Sequence, residues 1–417
     1  MLLVNKCTPG VHKRVTEENM RKLNKTAACG ILAAALAAGT LSGCSKAIDG
    51  TKTVATVGDE KVTLGLASYM VRDQQAQTMS YYNMLMSQYG VSGSASNVWD
   101  QKGDDGKTVG ESSKDGVMTT INQLYVLKAH AADYDITITD DEEKAIKEAA
   151  AEFIKDNDEK ILKKLAVSED DIVTYLELVT IRSKMHDPMT ADVDTEVSAN
   201  EKDQTRVTIV KVSTEGTEKD DDGNTIDLTD EEKAQKKDLA QQVLDKVKAS
   251  DDVANADMDA LAKEVDDSLS ATAPAFTTAG DTDDTLDEAV QDAALELKDG
   301  EVADKVIEGD DGYYVVRLDK MLDEDATENK EKTVISERKS DLYDSTLKDW
   351  VKEEKIKVDD KVWDQIKVTD SVSFEYKSTD SSKGDSTATD ADSTKDTEDT
   401  SAQDSSASDS AAEDSAE

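Results

Sequence analysis

The chain has 417 residues, room for roughly two or three domains. Apolar residues make up 37% and aromatic residues 4%, a lean supply that leaves part of the chain without a packed core. The formal net charge is −43, from 92 acidic against 49 basic residues, so nucleic acid and other polyanions are excluded as partners.

The N-terminal stretch reads as a targeting segment. Met1–Asn19 has no periodic pattern. Met20 opens an export signal, with Arg21, Lys22 and Lys25 ahead of an apolar run from Thr26 to Leu41. We read Met20 as the start of the translated protein. Leu41-Ser42-Gly43-Cys44 resembles a bacterial lipoprotein lipobox. That resemblance implies that Cys44 takes a diacylglycerol and that Cys29 leaves with the signal. The mature chain would then be lipid-anchored at the cell membrane, facing the extracytoplasmic side. The alternative is a transmembrane anchor, but the run is short of the ~20 residues needed to span. The third cysteine is Cys7, and the histidines are His12, His130 and His186. No Cys/His metal cluster can be assembled from these, and no metal or cofactor is expected.

Thr53–Thr63, TVATVGDEKVT, reads as strand, Gly58-Asp59 turn and strand. A helix follows from Leu64 to about Tyr89, with Leu66, Met70, Tyr81, Leu85 and Tyr89 near helical spacing. Met70, Met79, Met84 and Met86 cluster on it, either filling a core between helices or lining an adaptable binding surface. Val91–Gly116 is rich in Gly, Ser and Asp around Trp99 and reads as a loop or mobile insertion. Val117–Tyr134 is a helix. Thr139 followed by Asp140, Asp141 and Glu142 caps another, to about Asn157. Ser168 caps a third, to about His186, ended by Pro188.

Arg206–Val212, RVTIVKV, is a β-branched strand. Asp220, Asp222 and Gly223 in the next loop suggest an EF-hand, but the twelfth position is Thr229 rather than glutamate. Thr229-x-x-Glu232 is a capping box opening a helix to about Ala249, with Leu239, Val243 and Val247 as its buried stripe. Met258–Val265 and Leu286–Leu297 are further helices. Gly300-Glu301-Val302 is a turn, Val306-Ile307 a short strand, Asp310-Asp311-Gly312 a turn and Tyr313–Leu318 a strand. Thr327 to about Glu354 is helical, and apolar positions continue to Val368. Ser378–Glu417 contains no aromatic residue and is predicted to be disordered.

Glu296–Leu318 resembles the last third of a parvulin-type peptidyl-prolyl isomerase domain. Leu297, Gly300, Glu301, Val306, Gly312 and Tyr313 fit the family's pattern. Ala303 replaces a small hydroxyl residue, and Tyr314 stands where the family has a histidine. VATVGDEKVT and the helices after it resemble the N-terminal chaperone region of extracytoplasmic foldases of the PrsA and SurA type, over most of residues 53–200. These resemblances imply an α+β fold. A mostly helical chaperone domain would be built from residues 44–203 and 323–377, with a parvulin-like domain at 204–322 inserted as a small antiparallel sheet wrapped by helices. Residues 1–43 would be upstream extension and signal, and 378–417 a disordered acidic tail.

Rotating an X-Pro bond meets a barrier of ~18–20 kcal/mol. It requires no cofactor and no covalent step, only a dry groove that binds the twisted amide better than the planar one. Carried over by resemblance, the family's first-strand histidine falls at about Thr208 and its last-strand histidine at Tyr314. The apolar floor falls near Val290 and Leu295. Phe276, just before the Gly-containing loop, either supplies an aromatic wall or packs in the core, and Met258 lies near the helix preceding Leu261 with no matching family position. With both histidines replaced, the polar site is degenerate. The expected function is a membrane-anchored foldase or chaperone that binds unfolded or nascent exported polypeptides. An active peptidyl-prolyl isomerase is the second reading. The third is a solute-binding lipoprotein, which needs two α/β lobes that these strand clusters do not supply.

Overall fold

A computed structural model of the chain describes residues 36–41, 48–88, 97–217, 219, 225–278 and 285–376. The Met20 start, Cys29, Cys44, Tyr89, Asp220–Gly223 and the acidic tail lie outside the described residues.

Strand β1 (Leu36–Leu41) comes first and finds its partner only at the far end of the chain. Strands β2 (Thr53–Val57) and β3 (Glu60–Thr63) form a hairpin that turns at Gly58, where φ is 58°. Helices α1 (Leu64–Gln88), α2 (Val109–His130), α3 (Asp140–Asp156), α4 (Glu159–Leu165) and α5 (Glu169–Met189) follow. Three of these helices start with capping boxes: Thr108 with Glu111, Thr139 with Glu142, and Ser168 with Asp171. In each, a hydroxyl satisfies one orphan N–H while the carboxylate satisfies another. Asp171 also accepts from the Thr63 hydroxyl, so the hairpin is tied to the start of α5. Tyr69 of α1 packs edge-on against Phe153 of α3 at 5.3 Å and against Tyr175 of α5 at 5.1 Å.

After the short helix α6 (Ala199–Lys202) the chain enters a second sheet. Its members are β4 (Gln204–Ser213), β5 (Ala271–Thr272), β6 (Ala275–Thr277), β7 (Ile307–Glu308) and β8 (Gly312–Lys320). The order is β5-β4-β8-β7, with β6 pairing further along β4. Helices α7 (Asp230–Lys248) and α8 (Met258–Lys263) cover one face with Val243, Leu244, Val247 and Met258. Helix α9 (Glu288–Leu295) covers the other with Val290 and Ala294.

The exit of this insert is bonded to its entrance. The Asp323 N–H donates to the Gln204 carbonyl at 2.8 Å, the Gln204 N–H donates to Thr327 Oγ1 at 3.0 Å, and Arg206 pairs with Asp323. Helix α10 (Glu324–Glu353) then returns to the first body, where Trp350 stacks on His130 at 4.1 Å. Strand β9 (Ile356–Val358) pairs with the free edge of β2, giving the order β3-β2-β9. Helix α11 (Asp360–Trp363) and strand β10 (Val372–Tyr376) follow, and β10 lies on α1 and pairs with β1. Leu347, Trp363, Ile366, Val368 and Phe374 thereby complete the core begun by residues 54–189. Among the described residues every strand pairing is antiparallel, unlike the parallel sheets of two-lobed solute receptors.

Two expectations need correction. Val91–Gly116 is not one loop: α2 starts at Val109, because Thr108 and Glu111 form a capping box inside the Gly-rich stretch. Trp99 is buried in the body, and the N–H groups of Trp99 and Asp100 donate to the Asp370 carboxylate. Helix α5 runs through Pro188 to Met189, with Pro188 giving up one bond to the i−4 carbonyl and the helix ending one residue later.

The core that closes late yields a test. Trp363→Ala removes a buried ring contributed from beyond the insert and is expected to cost about 3–5 kcal/mol, read from the urea unfolding midpoint of the body.

Candidate functional site

Side chains alternate between the two faces of a strand, so the β4–β8 register decides which residues share a surface. Val207 pairs with Leu318, Ile209 with Val316 and Lys211 with Tyr314, and these lie on the α9 face. Thr208 pairs with Arg317, Val210 with Val315 and Val212 with Tyr313, on the opposite face. The structure therefore does not bring Thr208 and Tyr314 together. An offset of one residue along an extended strand moves a side chain to the other side of the sheet. The residue directly across from Tyr314 is Lys211.

The apolar positions divide in the same way. Phe276 and Val290 pack with Tyr314 and are fully buried, Met258 packs on the Thr208 face, and Leu295 is 37% exposed at the end of α9. Tyr314 is only 5% exposed, so its ring is a core element rather than a wall presented to a proline. Gly309 passes so close that a Cβ there would lie 2.9 Å from Tyr314 Cε2.

The Tyr314 hydroxyl donates to Asp311, and Lys211 Nζ also pairs with Asp311 while lying 5.9 Å from the Tyr314 ring centre. Burial, then the hydrogen bond to Asp311, hold the phenol well above its ordinary pKa. Lys211 first and Tyr314 second hold the Asp311 carboxyl below its ordinary range. The triad fixes a turn and a ring. Its hydroxyl can reach another acceptor only by leaving Asp311.

On the other face, Thr208 Oγ1 donates to Asp319 Oδ2 at 2.6 Å, and Arg317 Nε donates to Asp319 Oδ1 at 2.7 Å. Arg317 Nη1 donates to the Ala256 carbonyl at 2.8 Å and the Val253 carbonyl at 3.2 Å. This network clamps β8 to the 252–257 turn. Beside it lies an open, polar depression of about 510 Å³ lined by Arg206, Asn255, Arg317, Asp319, Lys320 and Asp323. Its lining is charged rather than apolar, the wrong chemistry for gripping a proline ring. Lys211, Asp311, Arg317 and Asp319 were not singled out from the sequence. Arg317-x-Asp319 on one strand was the available signal, since i and i+2 share a face.

Among the described residues, exposed large apolar side chains occur singly in the insert, at Ile226, Leu295 and Leu322, and as a group on the helical body. Met70 and Met79 are in the core, whereas Tyr81 is 50% and Met84 61% exposed, with Tyr82 beside them. The second half of α1 thus carries an apolar row on its exposed side, rimmed by half-buried Leu85 and Met86.

The low-lying Asp311 carboxyl has a pH signature. A depressed carboxyl contributes stability above its unfolded value, 3.8, and loses it as pH falls through the folded value. Asp311→Asn is therefore expected to be less stable than the parent near neutrality, with the gap in urea midpoint closing as pH drops below 3.8.

Residues 218–332 match the family model of the PPIC-type PPIase domain. No curated protein matches the chain in sequence. Solved structures similar to it include the peptidylprolyl isomerase PrsA of Bacillus cereus, at 19% identity, covering 65% of this chain and 97% of that one with a TM-score of 0.28. The foldase protein PrsA of Streptococcus pneumoniae matches at 16% identity, covering 64% and 97%, TM-score 0.23. PrsA of Bacillus subtilis matches at 15%, covering 76% and 98%, TM-score 0.21. Most of the insert, with the start of α10, is thus similar to the PPIC-type PPIase domain.

Proposed function

We propose that the chain is an extracytoplasmic foldase, lipid-anchored through Cys44, whose helical body holds unfolded exported polypeptides. Its PPIC-type domain acts as a scaffold with little prolyl isomerase activity of its own. The observation that carries this reading is the contrast between the two surfaces. The ring at the family's histidine position is buried and bonded to Asp311, whereas Tyr81, Tyr82 and Met84 stand exposed on α1.

Exposed aromatic and thioether side chains are adaptable partners for apolar segments of varied sequence. Net negative charge keeps such a holder soluble and repels acidic segments, so clients with neutral or basic flanks are favoured. Cys44 lies only four residues before Ile48, which packs against the body core. A lipid at Cys44 would keep the body within about 14 Å of the bilayer, where exported chains emerge extended.

The test uses the processed chain. It is expected to slow aggregation of an unfolded client, and the Tyr81→Ser/Met84→Ser pair should lose most of that effect while Tyr314→Phe retains it. In a peptide prolyl-isomerisation assay the parent is expected to show no clear catalysis. Efficient turnover by the parent, abolished in Tyr314→Phe, would replace the scaffold reading with an active isomerase.

A further inference from the structure

Among the described residues, strand β10 pairs with one strand, β1, which belongs to the segment that processing at Cys44 would remove. The register pairs Leu36 with Tyr376, Ala37 with Glu375, Ala38 with Phe374 and Leu41 with Val372. In the unprocessed chain an extended stretch, LAAGTL, therefore occupies the edge of β10.

The edge does not depend on that occupant for its position. Three side chains of α1 hold β10 from its other side. Gln75 Nε2 donates to the Val372 carbonyl at 2.8 Å, and Asp73 Oδ1 accepts from the Tyr376 hydroxyl at 2.8 Å. The Arg72 guanidinium lies 4.9 Å from the centre of the Phe374 ring, which is itself buried in the body core. The turn before β10 is anchored by Asp370, which receives the Trp99 and Asp100 N–H groups. A strand so fixed presents a preorganised row of backbone donors and acceptors, the feature that strand-addition sites use. Left uncovered, it would be an aggregation liability.

We propose that in the processed protein the β10 edge binds a client by strand addition. The occupant is an extended, uncharged segment of small and aliphatic residues in an unfolded exported polypeptide, the chemistry of the self-segment seated there before processing. The proposal rests on the lipoprotein reading, because only removal of residues 1–43 vacates the edge. It adds a sequence-tolerant backbone site to the exposed row on α1.

The experiment compares residues 44–417 carrying Cys44→Ser with the same chain begun at Met20. The probe is a fluorescent peptide of Leu36–Leu41 with flanking lysines, read by anisotropy. The processed form is expected to bind it, and the longer form to bind at least about tenfold more weakly, because its own segment competes. A peptide with proline at both the Ala37 and Ala38 positions should also lose about tenfold, since successive N–H groups point to opposite edges and one of the two faces β10. Equal binding by the two chains, or by the two peptides, overturns the proposal. So does a processed chain that refuses the parent peptide because a second copy or its own tail fills the edge. The N-terminal mass of the protein recovered from cell membranes separates the two ideas. A chain retaining residues 36–41 sinks the lipoprotein reading. Correct processing without peptide binding sinks the strand-addition site alone.

Discussion

The helical body has no closed core until the chain has passed through the insert and come back. Its first half supplies the tyrosine–phenylalanine contacts around Tyr69, but Trp363, Ile366 and Phe374 fill the other side. Strand β2 sits between a hairpin partner close in sequence and β9 from beyond the insert. Contacts of this kind reward the chain only after a long loop has been closed. The insert shortens that loop by folding on its own cores, and the bonds between Gln204, Asp323 and Thr327 bring its ends together. Every apolar contact of the late segment with α1 and α2 follows from that closure.

Within the insert, shape and chemistry have separated. The alternation along β4 and β8 gives each face an apolar layer, and those layers specify the sheet whatever polar residue sits among them. Tyr314 keeps its place in the layer while its hydroxyl is bound by Asp311, a partner close by in sequence. The polar groups on the other face, Thr208, Arg317 and Asp319, are bonded to one another and to the Val253 and Ala256 carbonyls, holding a turn down. The layers that set the shape of the insert are thus independent of its polar groups.

Local signals carried most of the fold. The capping boxes at Thr139, Ser168 and Thr229 placed helix starts to the residue, because the donors they satisfy lie within one turn. Thr108 escaped notice because Gly110 and Gly116 made its helix look like loop. Gly110 is there because the first turn of α2 passes against the Val368 backbone, a long-range contact invisible in the local pattern. The strands of the insert were legible from their β-branched residues, but the face of Thr208 was not, since one residue of offset reverses it. The division of the α1 methionines between core and surface, and the seating of Leu36–Leu41 on β10, depend on which distant segments arrive.

The bonded seam at the base of the insert has an evolutionary consequence. Entry and exit lie side by side, so a different domain with adjacent termini could occupy the same socket without stretching α10 or β4. Excising the insert would leave a gap that a short turn can span. The body is in this sense a host frame and the isomerase-family domain an interchangeable cargo. Selection on the exposed row of α1 and on the contacts around Tyr314 can then proceed independently.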